Sequence, residues 1–265
     1  MDGDRPEPQR RRLRRRLGAR PETLPFLHLV PNLVTIVGLC SGLTALRLGF
    51  AGRFEPAVAL VIFAALIDGL DGLIARRLNA QSRFGSELDS LSDFVCFGVV
   101  PAMLVYAMAL SGTVDIAWTV ALVFAVCACL RLARFNVNRD APMPDTAHFV
   151  GVPAPAGALL GLVPLYVTFA DIADARDYPW LVAPWLAFVG TLMICRLRTF
   201  APKGLRIQRR SARWLLVGAA LVVGLGISNF WLLMILLSAA YLATLAVALA
   251  VRRRPHSADI GDIGG

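Results

Sequence analysis

Residues 68–93 read DGLDGLIARRLNAQSRFGSELDSLSD, with Asp68 and Asp71 three positions apart and Asp89 and Asp93 four apart. On helices, both spacings put a pair of carboxylates on one face, one turn apart. The first pair closes an apolar stretch over 55–75, and the second opens another over 91–111. The short linker between them predicts two antiparallel neighbouring helices. Four acids then converge at one edge of an apolar layer.

The rest of the chain says what that layer is. Of 265 residues, 57% are hydrophobic and only 17% charged, too few charges for an ordinary soluble domain and far too apolar for a disordered chain. The apolar residues fall in blocks of about twenty, the length that crosses a bilayer as a helix. Hydropathy places spans near 29–48, 55–75, 91–111, 116–134, 149–170, 180–196, 213–228 and 231–250. The separation of the last two rests on Ser228 and Asn229 alone. The expected fold is an all-α polytopic membrane bundle of about eight helices.

Charge supplies orientation. Basic residues number 27 against 18 acidic, a net charge of +9, and 26 of the 27 are Arg. With the N terminus inside, 24 of the 27 lie on the inner side, leaving Arg47, Arg53 and Arg176 outside. This asymmetry follows the positive-inside rule and predicts cytoplasmic termini, with the aspartates on the cytoplasmic side. Residues 1–28 form an Arg-rich tail expected to be retained, because the apolar run that follows is too long for a signal core. Beside a span, such a tail suits anionic lipid better than nucleic acid. The expected organisation is this tail, a membrane core over 29–205, additional helices over 206–251 and a polar tail over 252–265. The five cysteines have no metal-ligand spacing and read as small buried hydrophobes. His28, His148 and His256 form no cluster.

Four carboxylates at the edge of a low-dielectric layer repel one another and lose solvation. Two divalent cations would balance them. An all-oxygen donor set suits Mg2+ or Mn2+ rather than zinc, and two such ions together suit a diphosphate and displacement at phosphorus. Gly72 and Ala75 clear the helix surface for a phosphate, and Arg76 adds a fork for its oxygens. The structural alternative for either pair alone is a water-exposed helix end. Asp68 and Asp71, however, sit at the carbonyl end of their helix, where acids are disfavoured.

Asp68, Asp71, Gly72, Ala75, Arg76, Gly85, Asp89 and Asp93 together resemble the signature of the CDP-alcohol phosphatidyltransferase family, with every spacing kept. The resemblance implies transfer of a phosphatidyl group from CDP-diacylglycerol to an alcohol with release of CMP. It also implies a helical core of at least six spans, a homodimer, and a site facing the cytoplasm, here of the bacterial inner membrane. Asp68, Asp71 and Asp89 would hold one metal; Asp68, Asp89 and Asp93 the other; Asp93 would also take the proton of the acceptor hydroxyl. Gly72, Ala75, Arg76, Ser82 and Gly85, with Asn32 and Thr35, would contact CDP-diacylglycerol.

Further stretches, among them Arg131-Leu-Ala-Arg134-Phe-Asn136 and Arg198-Thr-Phe-Ala-Pro-Lys203, are similar to the branch of the family whose acceptor is serine. Serine carries a carboxylate, so Arg131, Arg134, Arg198 and Lys203 are its candidate partners; the alternative for each is an anchor at the headgroup layer. Other acceptors, such as glycerol 3-phosphate, inositol phosphate or choline, would need changes only in this pocket. An ion-coupled transporter is the second functional class. It predicts transport without CMP release and tolerance of bulky residues at Gly72 and Ala75.

Overall fold

The computed structural model describes residues 30–78, 82–112, 115–139, 149–195, 198–199 and 212–252. Helix α1 (Val30–Phe50) buries Pro31, Thr35, Gly38, Gly42, Ala45 and Gly49. Steps of four and three residues keep these small side chains on one seam, which lets a neighbouring backbone come close. A Cβ added at Gly42 would lie 2.5 Å from the Cys96 sulfur. The helix ends in a Schellman turn, with Gly52 at φ 73° and Arg53 N–H donating to the Leu48 carbonyl at 2.9 Å. Helix α2 (Phe54–Leu78) runs back along α1, its closest partner.

Ser82 caps α3 (Arg83–Asp93), its Oγ accepting from Gly85 N–H at 3.0 Å. The rod then continues without a break through a π turn (Phe94–Val99), α4 (Val100–Val105) and a second π turn (Tyr106–Leu110). Pro101 accounts for the first widening, since it offers no N–H and its ring crowds the preceding turn. A wider turn relieves both. Helix α5 (Asp115–Arg139) follows.

The predicted fifth span is corrected at its start and in its middle. Residues 149–150 form a two-residue strand, β1 (Phe149–Val150), paired antiparallel with β2 (Arg198–Thr199). Gly151 turns the chain at φ 89°, against the carbonyls of Met193 and Cys195. Helix then begins only after Pro153, as α6 (Ala154–Gly161), and breaks at Leu162 before α7 (Val163–Phe169). Pro164 causes the break: it has no N–H for the Leu160 carbonyl, and the Trp185 indole N–H donates there instead, at 2.9 Å. Trp185 belongs to α8 (Pro179–Ile194), which packs on α5 and α6.

The apolar run after Trp214 breaks at Asn229 into α9 (Ala212–Ser228) and α10 (Phe230–Arg252), which pack on each other. Helix α10 also lies on α7, where Trp231 stacks with Tyr166, packs at a tilt on Phe169 and donates to Glu55 Oε1 at 2.9 Å. Fully buried Leu104, Phe124, Leu160, Tyr166 and Leu186 form the centre of the bundle. Apart from the short ladder, the regular elements among the described residues are helices. Four helical segments among them are long and apolar enough to cross a membrane: Val30–Phe50, Phe84–Leu110, Ile116–Val137 and Phe230–Leu249. Large apolar side chains such as Leu43, Leu66 and Val126 face outward from the bundle, as lipid contact requires.

Candidate active site

The last turns of α2 and the whole of α3 lie against the first half of α1. Asp68 from α2 and Asp89 and Asp93 from α3 come together, one carboxylate oxygen from each lying within 4.8 Å of the other two, and each residue is half-buried. The i, i+4 spacing on α3 supplies two of the three, and antiparallel packing supplies the third. Asp71, Ala75 and Arg76 lie on the backbone of α2, but their side chains are outside the described residues.

Helix α1 forms the floor. Thr35 and Gly38 line the cleft with Asp68 and Asp89, joined by Ser92 from α3 and Cys96 from the π turn beneath. Ser92 Oγ donates to the Thr35 carbonyl at 3.5 Å, and the Cys96 thiol to the Gly38 carbonyl at 3.5 Å. Asn32 sits at the mouth beside Gly85, where an added Cβ would meet Asn32 Oδ1 at 2.5 Å and Ser82 Oγ at 3.0 Å. Three residues expected to contact the nucleotide, Asn32, Ser82 and Gly85, are thereby brought together. Gly72 is different: a Cβ there meets no described atom within 4 Å. Among the described residues, nothing crowds that side of the helix.

The four acceptor candidates separate. Arg131 of α5 is half-buried and within electrostatic reach of Asp68 and Asp93. Arg134, one turn on, is exposed and donates from Nη1 to the Ile194 carbonyl at 3.0 Å, closing the last turn of α8. Arg198 lies on β2 with its side chain outside the described residues, and Lys203 is outside them altogether. Ser90 Oγ lies 3.1 Å from Asn136 Oδ1 and ties α3 to the same turn of α5.

The donor set fits a hard cation. Three carboxylates with Arg131 beside them leave a formal excess of two negative charges when all are ionised, and such a half-buried excess needs a counter-ion. The thiol in the cleft is committed to the Gly38 carbonyl, so oxygen ligands dominate. Ser92, Cys96 and Gly38 received no role from the sequence. The small-residue seam of α1 was the available signal, since a helix that bares its backbone makes carbonyls such as Thr35 and Gly38 reachable.

A membrane-type helical bundle with a carboxylate cluster at a helical hairpin defines the class: a site at the edge of an apolar bundle whose clustered carboxylates could hold a metal ion. The CDP-alcohol phosphatidyltransferase pattern matches residues 28–195, and the chain belongs to that family. Among curated relatives, it is 35% identical over 232 residues to the CDP-diacylglycerol--serine O-phosphatidyltransferase of Mycobacterium tuberculosis, covering 86% of this chain and 80% of the relative. It is 36% identical over 146 residues to the enzyme of the same name from Bacillus subtilis, covering 55% of this chain and 80% of the relative. To that of Methanocaldococcus jannaschii it is 35% identical over 170 residues, covering 64% and 72%.

Proposed function

We propose that this protein transfers the phosphatidyl group of CDP-diacylglycerol to L-serine, forming phosphatidylserine and CMP in phospholipid synthesis. The observation that carries the reading is the meeting of Asp68, Asp89 and Asp93 at the family signature. The names of the relatives support serine as the acceptor.

In this reading Asp68, Asp71 and Asp89 would hold one divalent ion, Mg2+ or Mn2+, and Asp68, Asp89 and Asp93 a second. When bound, they offset the charge of the diphosphate and make CMP a better leaving group. The chain's own residues do the rest. Gly72 and Ala75 let the diphosphate approach the α2 backbone, Arg76 pairs with its oxygens, and Asn32, Thr35, Ser82 and Gly85 shape the nucleotide end. The serine hydroxyl attacks the lipid-side phosphorus in line as the bond to CMP breaks and CMP departs with the electron pair. Asp93 takes the hydroxyl proton as the new bond forms. Arg131 best suits the serine carboxylate, since among the described candidates it is the half-buried one, within electrostatic reach of Asp68 and Asp93.

The same reading places eight spans, both termini and the site's opening on the cytoplasmic side of the bacterial inner membrane, with a core over 29–205, and two copies forming a homodimer. The concentration of Arg on one side supports the orientation. The decisive assay offers the purified protein CDP-diacylglycerol, Mn2+ and, in turn, L-serine, glycerol 3-phosphate, inositol phosphate and choline. CMP release with phosphatidylserine formation is expected for serine alone. Product from another acceptor, and none from serine, overturns the assignment.

A further inference from the structure

A serine or threonine hydroxyl inside a helix ordinarily turns back on its own backbone. Thr35, Ser41, Thr44 and Ser90 all do so, each donating to the carbonyl four residues earlier at 2.7–3.1 Å. Ser92 does not. Its Oγ crosses to the Thr35 carbonyl of α1 at 3.5 Å, with the Cys96 sulfur 4.0 Å away. The oxygen contact is longer than the usual O–H···O bond. The Cys96 proton goes to the Gly38 carbonyl, so among the described residues no donor fills the Ser92 lone pairs. Ser92 is only 6% exposed, and a buried hydroxyl held by one long bond needs a further partner.

The space in front of it says what that partner is. Ser92 lines the cleft with Asp68 and Asp89, against apolar walls of Ala64, Ile67 and Phe97. The cleft has a volume of about 10 Å³, room for one water molecule and too small for a substrate group. Ser92 and Asp89 are three residues apart on α3, hence on one side of that helix. A water between the hydroxyl and the carboxylate has two polar partners, enough to hold it in a buried place.

We propose that Ser92 is a positioning residue for the metal ligands, acting through a single water in the cleft: the water donates one hydrogen to Ser92 Oγ and the other to a carboxylate oxygen of Asp89, while Ser92 keeps its own proton on the Thr35 carbonyl. The inference rests on the metal part of the reading above. A carboxylate turns about its last bond, and tying down one oxygen fixes how the other is presented to a divalent cation. Partners of this outer kind orient the ligands, and losing one typically costs about 10–100-fold in metal affinity or activity. The small-residue seam of α1 then has a further use, since it brings the Thr35 carbonyl close enough to hold the Ser92 hydroxyl in place.

The test is Mn2+ affinity, measured by titration calorimetry on the full chain in detergent without substrate, together with thermal unfolding of the metal-free proteins. Ser92→Ala is expected to bind Mn2+ about tenfold more weakly or worse. Ser92→Thr, which keeps the hydroxyl, should stay within about threefold of the parent. The comparison variant is Ser238→Ala, which removes a buried hydroxyl of α10 that donates to the Met234 carbonyl at 2.8 Å; its Mn2+ affinity should not change. A purely structural hydroxyl predicts the opposite pattern for Ser92→Ala, a lower unfolding temperature with unaltered affinity. Affinity within twofold of the parent in Ser92→Ala, or an equal loss in Ser238→Ala, overturns the inference and leaves the proposed activity standing. Should Ser92→Ala not accumulate, a crystal structure of the unmodified chain with Mn2+ decides: a water within about 3.2 Å of both Ser92 Oγ and an Asp89 oxygen is expected, and no water there overturns the inference. An unmodified chain that binds no Mn2+ overturns the metal reading and the inference together.

Discussion

The Asn32 amide occupies the space in which a side chain at residue 85 would begin, with Oδ1 2.5 Å from a Cβ built on Gly85. Helix α1 and the first turn of α3 meet through this contact, and Ser82 Oγ closes it from the other side at 3.0 Å. One methyl group there must move Asn32, the Ser82 cap, or both.

Gly85→Ala is therefore expected to reduce activity by at least tenfold while destabilising the fold by about 1–3 kcal/mol, the usual range for overpacking. The kinetic loss should fall on KM for CDP-diacylglycerol, with serine KM little changed. Steady-state kinetics and thermal unfolding of the same preparation check both parts.

Asp89→Asn and Asp93→Asn should each lower activity by about two orders of magnitude or more, with folding retained. The thermal signature has a definite sign. Removing one of three crowded charges relieves repulsion in metal-free protein, so unfolding temperature without Mn2+ should rise or hold. The further rise on adding Mn2+ should shrink, because stabilisation by a ligand follows its affinity. An unaltered Mn2+ response in both variants would contradict a metal site built from these residues.

Gly72 and Gly42 make a matched pair. At Gly72 an added Cβ meets no described atom within 4 Å, whereas at Gly42 it meets the Cys96 sulfur at 2.5 Å and the Cys96 backbone at 3.4 Å. Gly72→Leu should fold normally, with helix propensity gaining about 0.5–1 kcal/mol, yet bind CDP-diacylglycerol at least tenfold more weakly. Gly42→Leu should fail to accumulate as folded protein. Full activity in Gly72→Leu would remove the diphosphate from that surface.

Trp185→Phe should destabilise the bundle by about 1–3 kcal/mol, because it leaves the Leu160 carbonyl without the indole N–H that replaces the one missing from Pro164. Adding Pro164→Ala restores a backbone N–H at the right place, so the double variant should recover most of that loss. Thermal unfolding of the four proteins forms the cycle.

The helical segments were legible because membrane helices must be long and apolar, and the convergence of Asp68 with Asp89 and Asp93 because a short linker leaves two helices no choice but to pack antiparallel. Even the weak break at Asn229 proved to be a real helix end. What hydropathy could not see was anything that leaves composition unchanged. The stretch 149–153 is as apolar as a helix, but Gly151 and Pro153 turn it into strand and turn. Leu160 to Pro164 reads as one run, but a missing N–H divides it. The π turn below Asp93 depends on how Pro101 is accommodated, and no apolar period reports that. Ser92 and Cys96 became visible as cleft residues only once α1 was seen to expose its carbonyls.

That widened turn has a consequence for how α3 and α4 work as one rod. Each residue in an α-helix advances about 100° around the axis, so the extra residue taken up over Phe94–Val99 resets the angular phase between what lies above it and what lies below. The acidic face can be aimed at α2 while the segment from Val100 onward independently presents its own apolar side to the interior. A shortened variant lacking one residue of that turn would force a choice between the two halves, keeping either the chemistry or the packing in alignment.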